Sequence, residues 1–244
     1  LGALVTSSSP QSILVANIST RAVTYTSSTA FADGRNWFTY SPAGGTLQAG
    51  QSQRVEVRPN LAGIPKGVYR GELAFRFQPD NLTTRVSLLL VVAAGAPAQG
   101  AVGQTVCTPQ RLAPVFRQPG SGFSVTAGWP ASIEVLIADD CGRPVTTGQA
   151  IATFSNNDPP LNLSSVQPGR WSGTWPARCA RPSGMTISVR AYQPEKKIEG
   201  VVEISGRLQE ASDVPVVSAG GVVSAVSFDG GAQGPGSYIA IFGQ

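Results

Sequence analysis

The chain has 244 residues, of which only 13% are charged, and its formal net charge is +4. Its 18 basic residues never form a block of four or more, which argues against the clustered basic surface that nucleic-acid binding needs. Histidine is absent, so the chain lacks the commonest general base and the commonest zinc ligand. It also cannot form a Ser-His or Cys-His nucleophile. We therefore predict a protein that is not an enzyme and that uses no cofactor.

The remaining composition favours short strands joined by tight turns. The chain contains 28 glycines and 19 prolines, and Ser, Thr and Val are abundant. The longest apolar run, residues 88–94, is far shorter than the roughly 20 residues of a membrane-spanning helix. A basic segment followed by an apolar one does not open the chain, so we expect any export signal to be removed or absent.

Alternation of apolar and polar residues predicts strands in the first part of the chain. In segment 68–78, Leu73 and Phe75 face one side while Arg70 and Glu72 face the other, as in a half-buried strand. Further strands are predicted at residues 13–18, 22–28, 37–40, 52–58 and 85–92, with turns at 32–34, 42–45 and 78–81. Short strands at this spacing predict a sandwich or a barrel.

A second group of strands follows a small, uncharged segment that contains Gly and Pro and is interpreted as a linker. Ile133, Val135 and Ile137 share one face of their strand. The predicted strands are residues 123–127, 132–139, 150–154, 171–175, 185–191 and 200–205. A convincing helical period is missing throughout, so the predicted fold class is all-β.

These patterns predict tandem immunoglobulin-like β-sandwiches. The expected bounds are 1–94 for the first sandwich, 95–104 for the linker and 105–210 for the second sandwich. Residues 211–244 contain two predicted strands, 222–228 and 238–242, among glycine-rich turns. About 30 residues are too few for an independent sandwich, so we expect the truncated start of a third β module.

Short motifs in the first part of the chain resemble the BACON family of immunoglobulin-like domains. They are NWFTYSP at 36–42, a Gly pair at 44–45, GQS at 50–52, VEV at 55–57 and GVYRG at 67–71. The resemblance covers roughly residues 5–94. It implies an accessory module of an extracellular bacterial protein, for which carbohydrate binding has been suggested.

The end of the chain resembles a different kind of module. VVSA at 216–219, SF at 227–228 and GPGSYIAIFG at 234–243 are similar to the start of IPT/TIG immunoglobulin-like modules. They also resemble a C-terminal repeat domain of secreted proteins from soil bacteria. Residues 105–210 resemble bacterial immunoglobulin-like modules in general pattern only.

Three cysteines predict one disulfide, because their spacing matches no zinc site and no Cys-x-x-Cys motif. Cys107 precedes the first strand predicted in the second sandwich and Cys141 follows the second, so both should lie at one end. Cys179 should lie at the other end. We favour Cys107 with Cys141, and Cys141 with Cys179 remains the alternative. A disulfide would place the protein in a secreted or cell-surface compartment.

The acidic side chains form no pair suited to glycoside hydrolysis and only a weak candidate for a metal site. Asp139 and Asp140 are adjacent, and neighbours on a strand point to opposite faces, so they cannot flank one glycosidic bond. Together with Asp158 they form a weak calcium candidate, to which Asn156 and Asn157 could add oxygens. The simpler interpretation is that they are turn residues.

Large aromatic residues are the remaining candidates for a ligand platform. They are Trp37, Tyr40, Trp129, Trp171 and Trp175. In small sandwiches such rings mostly fill the core, and core packing is the favoured interpretation for each. The predicted function is a structural or spacer segment that presents other domains, with carbohydrate binding as the alternative. The expected partners are a glycan or a cell-surface protein.

Overall fold

A computed structural model describes residues 4–5, 9–92, 107–178, 183–210, 217–232, 234 and 236–243. The fold is all-β, built from immunoglobulin-like β-sandwiches, as the alternating patterns predict. The described residues include no helix that could cross a membrane. The predicted linker, 95–104, lies outside the described residues.

Eight strands form the first sandwich. They are β1 (Leu4–Val5), β2 (Gln11–Ala16), β3 (Val23–Phe31), β4 (Phe38–Ser41), β5 (Gly44–Leu47), β6 (Ser52–Pro59), β7 (Gly67–Gln78) and β8 (Leu82–Val92). One sheet has the order β1-β8-β7-β3-β5, and the facing sheet has the order β2-β6-β4. Alternate residues of both sheets, such as Val55 and Leu73, point inward and are fully buried.

Eight more strands form the second sandwich. They are β9 (Leu112–Gln118), β10 (Phe123–Thr126), β11 (Pro130–Asp139), β12 (Gln149–Phe154), β13 (Leu161–Gln167), β14 (Arg170–Pro176), β15 (Ser183–Gln193) and β16 (Ile198–Gln209). Their order is β10-β16-β15-β12-β13-β14-β11-β9. β13 pairs with β12 through its first residues and with β14 through its last, which lets the sheet fold over a separate core.

Four strands in the two sandwiches were not predicted from the sequence patterns: the two-residue β1, and β5, β9 and β13. β5 begins inside the predicted turn 42–45, and its Gly44 lies so close to β3 that a Cβ there would be 2.8 Å from the Tyr25 carbonyl oxygen. β9 contains Pro114, which is tolerated because β9 is the edge strand of its sheet. β13 is mostly polar and exposed, so it lacks a clear period. Cys141 accordingly follows the third strand of the second sandwich, not the second.

Near the end of the chain, β17 (Val217–Ser224) and β18 (Ile239–Gly243) form an antiparallel pair. The predicted strand 222–228 is therefore wrong in its second half. Phe228 has φ of 58°, and its backbone N–H donates to the Ser224 carbonyl, which closes a turn.

Candidate functional site: the junction between the sandwiches

The outer faces of the two sandwiches meet in an apolar contact, here called the junction. On the first sandwich it comprises Val68 of β7 with Leu89 and Val91 of β8, and on the second it comprises Ala113, Val115 and Leu136. Leu89 is 2% exposed and Val115 3% exposed, so the contact excludes solvent as a core does. The second sandwich thus covers the part of one outer face of the first that β7 and β8 form.

Strand register explains how the sequence places these side chains. In β8, Leu88 and Leu90 point into the core of the first sandwich, and Leu89 points to the other side. A strand that is buried on both faces loses its alternation and becomes a continuous apolar run. The same holds for β11, where Leu136 faces the junction between the core residues Val135 and Ile137.

One arginine connects the sandwiches by a hydrogen bond. Arg70 lies beside Leu89 on β7, and its Nη2 donates to the Pro114 carbonyl oxygen over 3.1 Å. Its Nε is buried and has no hydrogen-bond partner among the described residues. Burial lowers the pKa of Arg70, and the nearby charge of Arg111 lowers it further. Arg70, which the alternation in 68–78 places on the polar side of its strand, is thus half-buried against the second sandwich.

A second polar contact lies at the rim of the junction. Arg85 Nε approaches Glu72 Oε1 to 3.1 Å. Burial raises the pKa of Glu72, and the charge of Arg85 opposes that shift. Two glycines let the loop after β9 press against Arg85: a Cβ at Gly120 would lie 2.5 Å from the Arg85 carbonyl oxygen, and one at Gly122 2.2 Å from its Nη1. Larger residues would push the sandwiches apart.

A cavity of about 300 Å³ remains beside these contacts. Its lining includes Phe31, Arg70 and Glu72 from the first sandwich and Ser121 and Glu203 from the second. Acidic and basic groups both reach it, so its charge selects neither an anion nor a cation.

The disulfide fastens the end of the second sandwich at which residue 107 enters it. Cys107 and Cys141 are bonded, with their Cα atoms 5.8 Å apart, which is the pair that the sequence analysis favours. Because Asp139 at the end of β11 pairs with Leu112 at the start of β9, the two cysteines lie at one end. Cys179 lies outside the described residues.

Asp139 and Asp140 serve the same end of the sandwich as turn residues. Asp139 is 1% exposed, and its Oδ1 accepts from the backbone N–H groups of Cys141 and Arg143 over 3.0 and 2.9 Å. Asp140 Oδ1 accepts from the backbone N–H of Gln110 over 3.0 Å. Both carboxylates thus stabilise the loops on either side of the disulfide.

Asp158 lies far from that pair, so the calcium hypothesis for Asp139, Asp140 and Asp158 is wrong. Asp158 Oδ2 accepts from Trp175 Nε1 over 2.8 Å, and Trp175 pairs with Ala131 at the start of β11. About eight residues of strand, or roughly 26 Å, separate that rung from Asp139. Among the described residues no three His, Cys, Asp or Glu side chains form a group that could hold a metal ion.

The five aromatic candidates do not form one surface. Trp37, Trp171 and Trp175 are 2%, 5% and 1% exposed and belong to the cores, which contradicts the platform hypothesis for them. Tyr40 is half-buried, and its Oη donates to the Ser27 carbonyl oxygen over 3.2 Å. Only Trp129, which is 50% exposed, presents its ring to solvent.

Sequence reasoning missed the junction itself. Its one signal was the unbroken run LLLVV at 88–92, which is too apolar for a strand with one solvent face. An outer face around Tyr192 was also missed, because the predicted strand 185–191 ends one residue before Tyr192, whereas β15 extends to Gln193.

No family model matches the chain, and no curated protein matches it. Among solved structures, the E. coli chaperone DraB is 12% identical, with 82% of this chain and 90% of that chain covered and a TM-score of 0.34. The fibronectin(III)-like modules of Clostridium thermocellum CbhA are 10% identical, with 82% and 87% covered and a TM-score of 0.31.

An engineered protein is 16% identical over 43% of this chain, with a TM-score of 0.31, and the chain spans 21% of its length. These similarities concern the fold alone.

Proposed function

We propose that this chain is a non-catalytic structural segment in which two joined sandwiches hold and present other domains of a secreted or cell-surface bacterial protein. The observation that carries the proposal is the junction. A spacer holds its neighbouring domains in a defined arrangement only if its own modules keep a fixed relative orientation. The solvent-excluded apolar contact, with the hydrogen bond from Arg70 to Pro114, favours one orientation.

The disulfide supports the same role. It clamps the residues that precede β9 to the loop after β11, at the end of the second sandwich where residue 107 enters. Disulfides persist in oxidising compartments, so the bond supports a location outside the cytoplasm. The BACON-like motifs within 36–71 and the IPT/TIG-like motifs within 216–243 support an extracellular multidomain protein of this kind. The partner in this proposal is a neighbouring domain or another cell-surface protein.

Small-angle X-ray scattering of the full chain tests the fixed orientation. Val115→Asp places a charge in the junction without touching the core of the second sandwich, because Val115 lies on the outer face. We expect a larger radius of gyration, while calorimetry still shows cooperative melting of both sandwiches. Leu89→Asp should act in the same way from the other side.

Val201→Asp is the matched control, since Val201 is 49% exposed on β16. It should leave the scattering unchanged. The proposal is overturned if the unaltered chain requires an ensemble of module orientations to fit its scattering, or if Val115→Asp and Leu89→Asp both scatter like the control.

A further inference from the structure

The second sandwich has an open outer face on the side away from its core. In β12, Gln149, Ile151 and Thr153 alternate with buried residues and therefore project outward. Arg190 and Tyr192 of β15 project from the same face, because Gln149 pairs with Tyr192 and Ile151 with Arg190. These five side chains line a cavity of about 390 Å³, within the size range of small-molecule sites.

The chemistry of this lining is that of a mixed apolar and polar surface. Tyr192 is 37% exposed, and Ile151 next to it extends the apolar surface. The polar part of the lining consists of the amide of Gln149, the hydroxyl of Thr153 and the guanidinium of Arg190. A pyranose ring has one apolar face of C–H groups that can stack on an aromatic ring, and a rim of hydroxyls that need hydrogen-bond partners.

The net charge of the lining indicates whether the site suits a neutral or an acidic ligand. Nε and Nη2 of Arg190 both donate to Oε2 of Glu199, which lies beside Tyr192 on β16. This pairing raises the pKa of Arg190 and balances its charge locally. The lining therefore offers hydrogen-bond groups without a net charge, which suits a neutral ligand.

Strand order excludes a peptide that would bind by adding a strand. β12 is paired with β13 and β15, and β15 is paired with β12 and β16, so the backbone groups of both strands are already used within the sheet. Recognition on this face must come from side chains, and the side chains are those that suit a sugar.

We propose that the outer face of β12 and β15 is a binding site for a neutral saccharide, stacked on Tyr192. The binding would be an addition to the structural role and does not depend on the junction. It also moves carbohydrate binding away from the buried tryptophans and onto residues that the sequence analysis did not select.

Titration of the full chain with cellohexaose, xylohexaose, mannohexaose and laminarihexaose, followed by NMR and calorimetry, tests the site. We expect at least one of them to shift the amide signals of Gln149, Thr153 and Tyr192. Tyr192→Ala should weaken that binding roughly tenfold or more, while Tyr192→Phe keeps most of it. Gln149→Ala, which removes an exposed amide from the lining, should weaken binding without altering the contact of the sugar with Tyr192.

Trp129→Ala is the matched control, since Trp129 is an exposed ring on the same sandwich. The proposal is overturned if all four sugars leave the signals unchanged at millimolar concentration. It is equally overturned if Trp129→Ala, rather than Tyr192→Ala, removes binding. Tighter binding of hexagalacturonate than of every neutral sugar would overturn the neutral specificity. A binding failure of any kind leaves the scattering test of the junction unaffected, so the two proposals fail separately.

Discussion

The two sandwiches stabilise cores of similar architecture by different means. The first relies on contacts between rings: Trp37 and Phe38 have centroids 4.8 Å apart, and Phe31 lies 4.9 Å from Phe38. In the second, Trp175 stacks on Phe154 with centroids 4.6 Å apart, and polar bonds fix both buried tryptophans. Trp171 Nε1 donates to the Val145 carbonyl oxygen over 3.1 Å, and Trp175 Nε1 donates to Asp158.

Two aromatic side chains of the first core lack such bonds. Trp37 Nε1 and Tyr25 Oη are buried and have no hydrogen-bond partner among the described residues. Burial raises the pKa of Tyr25, since its ionised form would lack solvation. The comparison teaches that Trp37 and Tyr25 of the first core are held by apolar packing, whereas Trp171 and Trp175 of the second also make directional bonds, and the second sandwich adds a covalent one.

Removal of the disulfide should produce the largest difference in stability between the two sandwiches. The double change Cys107→Ser/Cys141→Ser opens a loop with a sequence separation of 34 residues. The chain-entropy model assigns such a loop about 3 to 4 kcal/mol. We expect hydrogen exchange to accelerate throughout the second sandwich and to stay nearly unchanged in the first. Cys179→Ser is the control and should have little effect. A cross-linked peptide of Cys141 with Cys179 in an unreduced digest would show that the pairing is wrong.

Replacement of Asp158 should cause the next largest loss of stability, because its side chain fixes the end of the second core that is opposite to the disulfide. Asp158→Ala leaves Trp175 Nε1 and the backbone N–H of Arg178 without their acceptor. A buried donor without a partner costs about 1 to 3 kcal/mol, so we expect a loss of about 2 to 3 kcal/mol in urea unfolding followed by tryptophan fluorescence. Asp140→Ala, which removes one bond to the backbone of Gln110, should cost less than about 1 kcal/mol. Equal losses would contradict the role of Asp158.

A pair of conservative substitutions should show the smallest difference in stability and compares the two cores most directly. Trp171→Phe and Trp37→Phe remove the same atoms from buried positions, but only Trp171 loses a hydrogen bond, to Val145. We expect Trp171→Phe to reduce the free energy of unfolding by about 1 kcal/mol more than Trp37→Phe does. Calorimetry of each variant measures the difference. If Trp37→Phe proves the costlier change, the contrast between the two cores is wrong.

Local patterns in the sequence determined the fold class and most strands of this protein. Alternation in segments such as 68–78 reports which residues face a core, because side chains of a strand alternate between its two sides. The pairing of Cys107 with Cys141 was also predicted from strand ends, although β9, whose pairing with β11 brings the two cysteines together, was not predicted. The patterns failed where the local signal is weak: at β5, which runs through glycines, at β9, which contains proline, and at β13, which is polar.

Tertiary structure alone decided what lies against the outer faces. Arg70 and Glu72 alternate with core residues as solvent-facing residues do, yet at the junction both are half-buried. Arg190 has the same local pattern and stays exposed beside Tyr192. Alternation separates the two sides of a strand but cannot show what packs on the outer side, since that depends on contacts between residues far apart in the chain, such as Leu89 with Val115.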